Sequence, residues 1–303
     1  MTAESSETIP FAQHEPSPRE IPPGLHFIAT PIGAARDITL RALDLLAGAD
    51  MLAAEDTRSL RHLMEIHGVA LKDRVVVPYH EHNEAQALPR LMRALSEGKS
   101  VVYASEAGTP LISDPGFGLA RAAIAEGLPV LAAPGASAVL CALTVSGLPT
   151  DRFLFAGFPP SAKSARRSFL NDLVRIGATL ILYESPKRIR ETLGECVQCF
   201  GEDRQAVMCR ELTKRFEEVT RGTLADLVGA YERRDVKGEI VLLIDRGAVV
   251  QADQETVEAA LDRAMESMSV KDAAGAIADA FGLARREVYQ LALARVRSGK
   301  DAG

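Results

Sequence analysis

Short apolar runs alternate with amphipathic stretches through the first half of the chain. Residues 25–29, 51–54, 75–77, 101–104 and 129–132 are brief and hydrophobic, as strands buried in a parallel sheet tend to be. Between them, residues 39–47, 59–67, 84–96 and 118–126 fit helices, and in the second of these Leu60, Leu63, Met64 and His67 recur at helical spacing. The alternation predicts an α/β fold whose first domain, residues 24–147, is built on a parallel sheet.

The sequence Gly147-Leu148-Pro149-Thr150-Asp151 interrupts this pattern and reads as an interdomain connection. Further strand candidates follow at 153–157, 179–183, 206–210 and 239–244, separated by helices, one of them continuous over 189–200. They predict a second, mixed α/β domain over residues 148–247, in which the pattern leaves the strand directions open. From Gln251 the chain turns helical: Val270, Ala273, Ala274, Ile277, Ala278 and Phe281 share one face, Gly282 ends it, and residues 285–296 begin another helix. Residues 248–303 are therefore expected to form a small helical C-terminal domain. A helix-turn-helix with Arg285, Arg286, Arg295 and Arg297 as phosphate contacts is one reading of it. A plain helical cap fits the repeated alanines at least as well. Residues 1–23 are acidic and proline-rich, without a basic start and apolar stretch, and predict a disordered extension instead of a signal peptide.

Composition narrows the classes. With 303 residues, 47% of them hydrophobic, the chain can bury the cores of two domains or more. No apolar run has the length to cross a bilayer. The formal charge of -6 argues against non-specific coating of nucleic acid, yet basic clusters occur at Arg58/Arg61, Lys163/Arg166/Arg167, Lys187/Arg188/Arg190 and Arg210/Lys214/Arg215. Each alone reads as a solvated face, and only convergence on one surface would change that. Four cysteines make no disulfide framework and point to reduced thiols in the cytoplasm. Cys196 and Cys199 form a C-x-x-C pair, but Cys141 and Cys209 are isolated, so no metal is expected; the pair closes a helix, which disfavours thioredoxin-like chemistry.

The chemistry lies in loops. Residues 105–118 read Ser-Glu-Ala-Gly-Thr-Pro-Leu-Ile-Ser-Asp-Pro-Gly-Phe-Gly directly after a strand candidate. Glycines and prolines at a strand's C-terminal edge bring backbone close to a ligand, although the same triplets make ordinary turns. Thr30-Pro31-Ile32-Gly33 follows the first strand, and Ala133-Pro134-Gly135-Ala136-Ser137-Ala138 follows the fifth. Three such loops on one edge define a site for a ligand held by backbone groups and apolar walls. Neither G-x-G-x-x-G after the first strand nor a P-loop occurs.

Six motifs stand in order: Thr30-Pro31-Ile32-Gly33 with Asp37-Ile38-Thr39; Ala54-Glu55-Asp56-Thr57-Arg58; Tyr79-His80-Glu81-His82-Asn83-Glu84; Ala107 to Gly116; Pro134-Gly135-Ala136-Ser137-Ala138; and Tyr183-Glu184-Ser185-Pro186-Lys187-Arg188. In these the chain resembles the bacterial 16S ribosomal RNA cytidine 2'-O-methyltransferases of the tetrapyrrole methylase superfamily, over roughly residues 25–245. The resemblance implies a two-domain tetrapyrrole-methylase-like fold, a homodimer, and S-adenosylmethionine bound between the domains. It carries the donor site onto Pro31, Gly108, Thr109, Pro110, Ile112, Ser137 and Ala138, with Tyr183, Leu212 and Ile240 closing the pocket from the second domain.

The implied reaction is an in-line methyl transfer to a ribose 2'-hydroxyl, dominated by positioning. Glu55, Asp56, His80, His82, Glu106 and Glu184 stand near predicted strand ends as possible bases, with Glu106 and His80 as the catalytic candidates. Small-subunit ribosomal RNA, naked or assembled, is expected to meet Arg58, the His80, His82 and Asn83 segment, a loop bearing Lys163, Arg166 and Arg167, and Lys187 with Arg188. Two positions depart from the family's pattern. Glu106 stands where relatives commonly have aspartate, and Ala34 where they have asparagine. A small-molecule methyltransferase on the same fold, or a non-enzymatic RNA-binding regulator using the helical tail, are the alternatives.

Overall fold

The computed structural model describes residues 20–247, 254–281 and 283–300. The chain forms two compact units, one ending at Asp245 and one beginning at Arg246. The expected extension at the N-terminus, apart from its last residues, and Gly282 lie outside the described residues.

In the first unit, β1 (Gly24–Ile28), β2 (Met51–Ala54), β3 (Val76–Pro78), β4 (Ser100–Ala104) and β5 (Val130–Ala133) form a sheet of order β3-β2-β4-β1-β5. Every pairing in it is parallel, as the uninterrupted apolar runs predicted. Successive side chains alternate between faces. Leu25, Phe27, Val101 and Tyr103 point to one side, where α3 (Glu84–Ser96) and α4 (Phe117–Ala125) cover them. Ile28, Leu52, Val102 and Ala104 point to the other, against α1 (Leu40–Gly48) and α2 (Thr57–Ile66). Thr39 caps α1 by accepting from the Ala42 N–H, and Asp56 caps α2 through the Arg58 and Ser59 N–H groups. The Ser137 hydroxyl does the same for α5 (Ala138–Ser146), which Gly147 ends in a left-handed conformation.

The second sheet, of order β6-β7-β10-β8-β9, is mixed. β6 (Phe153–Gly157) runs parallel to β7 (Thr179–Glu184), while β10 (Ile240–Ile244) is antiparallel to both β7 and β8 (Gln205–Arg210). β9 (Glu218–Thr223), absent from the sequence reading, pairs antiparallel with β8 at the sheet edge. Its Glu-Val-Thr-Arg-Gly-Thr run has no apolar continuity, because an edge strand is only partly covered. Leu180, Leu182, Ile240, Leu242 and Ile244 face α6 (Lys163–Leu173), α7 (Ile189–Phe200) and α8 (Leu224–Tyr231). Ile181, Val207, Cys209, Val241 and Leu243 face the other way, onto Val139, Ala142 and Leu143 of α5 and onto Ile32. That second core joins the two sheets inside one unit. Cys196 lies fully buried on α7, where burial pushes its thiol up.

The second unit comprises α9 (Gln254–Met265), α10 (Val270–Phe281) and α11 (Arg285–Lys300), packed around Leu261, Ala274, Ile277, Val288 and Ala292. Two of its arginines have acidic partners. Arg295 binds Asp262 and Glu258, and Arg285 binds Asp279. No helix among the described residues is long and apolar enough to cross a membrane.

Candidate active site

The loops that follow the strands of the first sheet gather at its C-terminal edge, and hydrogen bonds lock three of them together. Thr30 and Gly108 form an isolated antiparallel bridge, with N–H to carbonyl distances of 2.9 and 3.0 Å. The Ser105 hydroxyl donates to the Gly108 carbonyl at 2.9 Å, and Thr109 Oγ1 donates to the Ala136 carbonyl at 2.9 Å. Gly108 has φ +82°, and a Cβ there would stand 3.3 Å from Ile32 Cγ2. Glycine suits the left-handed conformation, and any side chain there would press on Ile32. The β4 loop then passes through Leu111 (φ +73°) and Ser113 (φ +61°), two non-glycine residues in the left-handed region. Such conformations cost of order 1–3 kcal/mol each and persist where the surroundings enforce them, commonly at ligand sites.

The second sheet closes on this edge. A Cβ on Gly33 would lie 2.5 Å from Lys214 Cγ and 2.6 Å from Thr213 Oγ1, so the β1 loop reaches the β8–β9 connection at contact distance. Ala34 donates its backbone N–H to Thr213 Oγ1 at 3.1 Å. Lys214 is held by Glu211 at 2.9 Å and Glu239 at 3.0 Å. Leu212 is buried in the core that also holds Ile32, and Tyr183 packs against that core. The Tyr183 ring meets Phe155 and Phe158 edge-on, with centroids 4.7 and 5.4 Å away. Burial, with Asp114 and Glu239 nearby, pushes the Tyr183 hydroxyl up to about 12. Pro31, Gly108, Thr109, Pro110, Ser137, Ala138, Tyr183 and Leu212 thus lie on the loops and sheet face that meet here, and Ile112 is exposed at the rim. Ile240 is different. Its side chain lies in the opposite core, among Leu180 and Leu182, and not on the sheet face that Val241 and Leu243 share with Tyr183 and Leu212.

The acidic candidates separate by environment. Glu184 is buried and accepts from Arg188 at 2.7 Å, Thr192 Oγ1 at 2.5 Å and its neighbour Ser185 N–H at 2.8 Å. A carboxylate committed to three donors inside the second sheet holds structure. Asp56 is likewise committed, to the start of α2; its hydrogen bonds from the Arg58 backbone and side chain keep its carboxyl below the usual range. Asn83 accepts from the His80 N–H at 2.8 Å and donates to the Pro78 carbonyl at 2.9 Å, fixing the turn that carries the two histidine rings 6.1 Å apart.

Glu55 and Glu106 do converge. The Glu106 N–H donates to Glu55 Oε2 at 3.4 Å, and burial, with the Glu106 and Glu81 charges, raises the Glu55 carboxyl. Asp114, which sequence reasoning missed, sits with them. Burial first, and then the Glu55 and Glu106 charges, push its carboxyl up to about 7. The residue stands inside the quoted Gly-Thr-Pro-Leu-Ile-Ser-Asp-Pro-Gly motif, but its environment comes from residues far off in sequence. Beneath the group lies Tyr103, fully buried, whose hydroxyl has no hydrogen-bond partner and is faced by Glu55 and Asp114. A cleft of about 220 Å³ runs alongside, between the Thr30, Pro31 and Gly33 loop, Ser105 and Glu106, and α2.

The basic set needs one correction. Lys163, Arg166 and Arg167 lie on α6 and not on a loop. Arg166 shares the buried helix face with Leu170 and Leu173; its guanidinium binds Glu191 at 2.9 Å and the Ser161 carbonyl at 3.1 Å. It is a core arginine, closed to phosphate. Arg167 and Lys163 both pair with Glu195, at 2.8 and 3.6 Å, and Arg188 is bound to Glu184. Arg58 and Lys187 are exposed.

Comparison with known proteins decides the family. Residues 24–228 match the profile of the Tetrapyrrole (Corrin/Porphyrin) Methylases. The chain belongs to the tetrapyrrole methylase family. It is a methyltransferase of that family, and residues 251–295 match a second profile, the RsmI C-terminal HTH domain. Among curated relatives of this tetrapyrrole methylase, Ribosomal RNA small subunit methyltransferase I of Mesorhizobium japonicum is 47% identical over 260 residues, 86% of each chain. The protein of the same name from Xylella fastidiosa is 42% identical, covering 88% of this chain and 98% of its own. Solved structures of diphthine synthase (TM-score 0.57, 19% identity, 73% and 90% covered) and of the cobalt precorrin-4 methyltransferase CbiF (0.55, 19%, 73% and 94%) share the fold.

Proposed function

We propose that this protein transfers a methyl group from S-adenosylmethionine to the ribose 2'-hydroxyl of a cytidine in 16S ribosomal RNA, in the cytoplasm and as a homodimer. The observation that carries the donor assignment is the locked trio of Gly/Pro loops facing Tyr183 and Leu212. Such a wall offers backbone N–H and carbonyl groups, an aromatic ring and apolar packing, with few charged side chains. That is the chemistry an adenosine and an amino-acid end require. The bound donor supplies an electrophilic methyl group; the chain supplies its position.

Pro31, Gly108, Thr109, Pro110 and Ile112 would line the pocket from the β1 and β4 loops, Ser137 and Ala138 from the start of α5, and Tyr183, Leu212 and the Ile240 backbone from the second sheet. Arg58, His80, His82 and Lys187 would meet RNA phosphate and sugar, with Arg167, Lys163 and Arg188 contributing from positions already paired to carboxylates. Support for ribosomal RNA as acceptor comes from relatives at 42–47% identity that carry that name across most of their length.

The test is methylation of small subunits that lack the modification, with mass-spectrometric mapping, beside calorimetric titration of the protein with S-adenosylmethionine. A methyl group on one cytidine ribose is the expected product. No ribose methylation, or methylation of a porphyrinogen precursor instead, overturns the reading.

A further inference from the structure

Helix α2 carries two stripes. Leu60 and Met64 are buried in the core of the first sheet, whereas Ser59, His62, Leu63 and Ile66, at the i, i+3, i+4, i+7 spacing of one helix face, line the cleft of about 220 Å³. Across from them the lining includes Thr30 and Pro31 of the β1 loop with Ser105 and Glu106 of the β4 loop. These are the two loops that the Thr30–Gly108 bridge joins, so the cleft shares its wall with the donor loops. Each loop is also tied to α2. The His67 ring donates from Nε2 to the Ala35 carbonyl at 2.8 Å, and the Glu106 N–H donates to Glu55 Oε2 at 3.4 Å, just ahead of the helix. Walls braced in this way hold a pre-formed cavity.

We propose that this cleft receives the acceptor cytosine, unstacked from the ribosomal RNA, and that Glu106 identifies it by accepting a hydrogen bond from the exocyclic amino group. This rests on the ribose-methylation reading above. Cytosine presents an N4 donor beside two acceptors, N3 and O2. The Glu106 carboxylate answers the first, and the Ser59 hydroxyl and the His62 ring supply donors for the others. Uracil carries a carbonyl in place of the amino group, and a carboxylate has no proton to offer it. The faces of the base lie against Leu63, Ile66 and Pro31, and its ribose comes to the loops shared with the donor.

Three observations support the assignment. The lining combines an apolar flank with a few polar groups, which suits a flat ring with apolar faces and a polar edge; Ile66 on that flank is 51% exposed. The volume lies below the roughly 300–1,000 Å³ of pockets for drug-sized ligands, which leaves room for one base and none for a tetrapyrrole macrocycle. Arg58 and Arg61, both exposed, adjoin Ser59 and His62 on the same helix, where they can meet the phosphates on either side of an unstacked nucleotide. The Glu106 carboxylate, itself exposed, accepts no hydrogen bond from the described residues and is open to a ligand donor.

The experiment uses unmodified small subunits with cytidine or, by mutation of the RNA, uridine at the methylated position, and measures S-adenosylmethionine affinity by calorimetry. Wild type should favour cytidine by about 10²-fold in kcat/KM. Glu106→Gln, whose amide can donate to the uracil carbonyl, should narrow that ratio by about tenfold or more, while Glu106→Asp keeps most of it. Ser59→Trp, which fills the cleft from α2, should raise the KM for subunits about tenfold with donor affinity within twofold; Glu106→Gln, at an exposed position, decides the matter if the tryptophan disturbs the helix. A wild type indifferent to the base, a Glu106→Gln variant that discriminates as wild type does, or donor affinity falling in step with activity in either variant each overturn the base site. A wild type that methylates no ribose on the cytidine subunit overturns the underlying reading instead.

Discussion

Thr30 and Gly108, 78 positions apart in sequence, exchange backbone hydrogen bonds in both directions and so tie the first loop of the site to the fourth strand's loop. The bridge depends on a left-handed Gly108 with its α-carbon close under Ile32. Gly108→Ala should therefore cost about 1–2 kcal/mol of stability and weaken donor binding at least tenfold. Urea denaturation and calorimetric titration with S-adenosylmethionine read the two effects separately. Wild-type donor affinity in this variant would mean the bridge does not shape the pocket.

The same pocket is tied to its third loop by one hydroxyl. Thr109→Val keeps the shape but removes the donor to the Ala136 carbonyl, and Thr109→Ser keeps the donor. The expected cost for valine is about 1 kcal/mol, the usual net worth of such a bond. Donor affinity should fall several-fold in the valine variant and stay near wild type in the serine variant; a loss in the serine variant with wild-type affinity in the valine variant would assign the role to the methyl group.

Glu184→Gln separates structure from chemistry. The Arg188 guanidinium, about a quarter exposed, would lose its carboxylate partner inside the second sheet. A broken buried pair commonly costs about 3–5 kcal/mol, and the partial exposure of Arg188 lowers the expectation to about 2 kcal/mol. Chemical denaturation should show that loss, while kcat at a temperature where the variant is folded should remain within about threefold of wild type.

The parallel strands and the Gly/Pro loops could be read from the chain because both are local matters. A strand buried on two faces is apolar throughout, and a loop that approaches a ligand with its backbone needs glycine and proline whatever surrounds it. Arg166 and Asp114 could not be read that way. Arg166 stands beside Arg167 in what looks like a surface cluster, and only the approach of Glu191 from α7 makes it a core residue. Asp114 is one carboxylate among many until β2 and β4 bring Glu55 and Glu106 beside it. β9 escaped because at a sheet edge none of its positions is fully buried, so no apolar run marks it.

The different standing of the basic residues can be measured by salt dependence. Arg58→Ala and Lys187→Ala should each weaken RNA binding and reduce the slope of log affinity against log salt by about 1. Arg166→Met should lower the urea midpoint and leave that slope at its wild-type value. A slope change in Arg166→Met matching that of Lys187→Ala would return this arginine to the RNA surface.

Acid should loosen the edge of the second sheet first. Glu218 on β9 binds Arg234 and Arg210 and accepts from the Tyr231 hydroxyl at 3.2 Å. Chiefly through Arg234, its carboxyl is drawn down from 4.5 to about 2. A depressed pKa in the fold means that the stabilisation is present above about pH 4.5 and is lost as the pH falls towards 2. A shift of this size corresponds to about 3 kcal/mol, and with the side chain 26% exposed, screening brings the expectation to about 2 kcal/mol. Urea midpoints measured from pH 5 down to pH 2.5 should fall more steeply for wild type than for Glu218→Gln, which carries no titrating group there. Parallel curves for the two proteins would show that the ion pairs on β9 do not couple its protonation to folding.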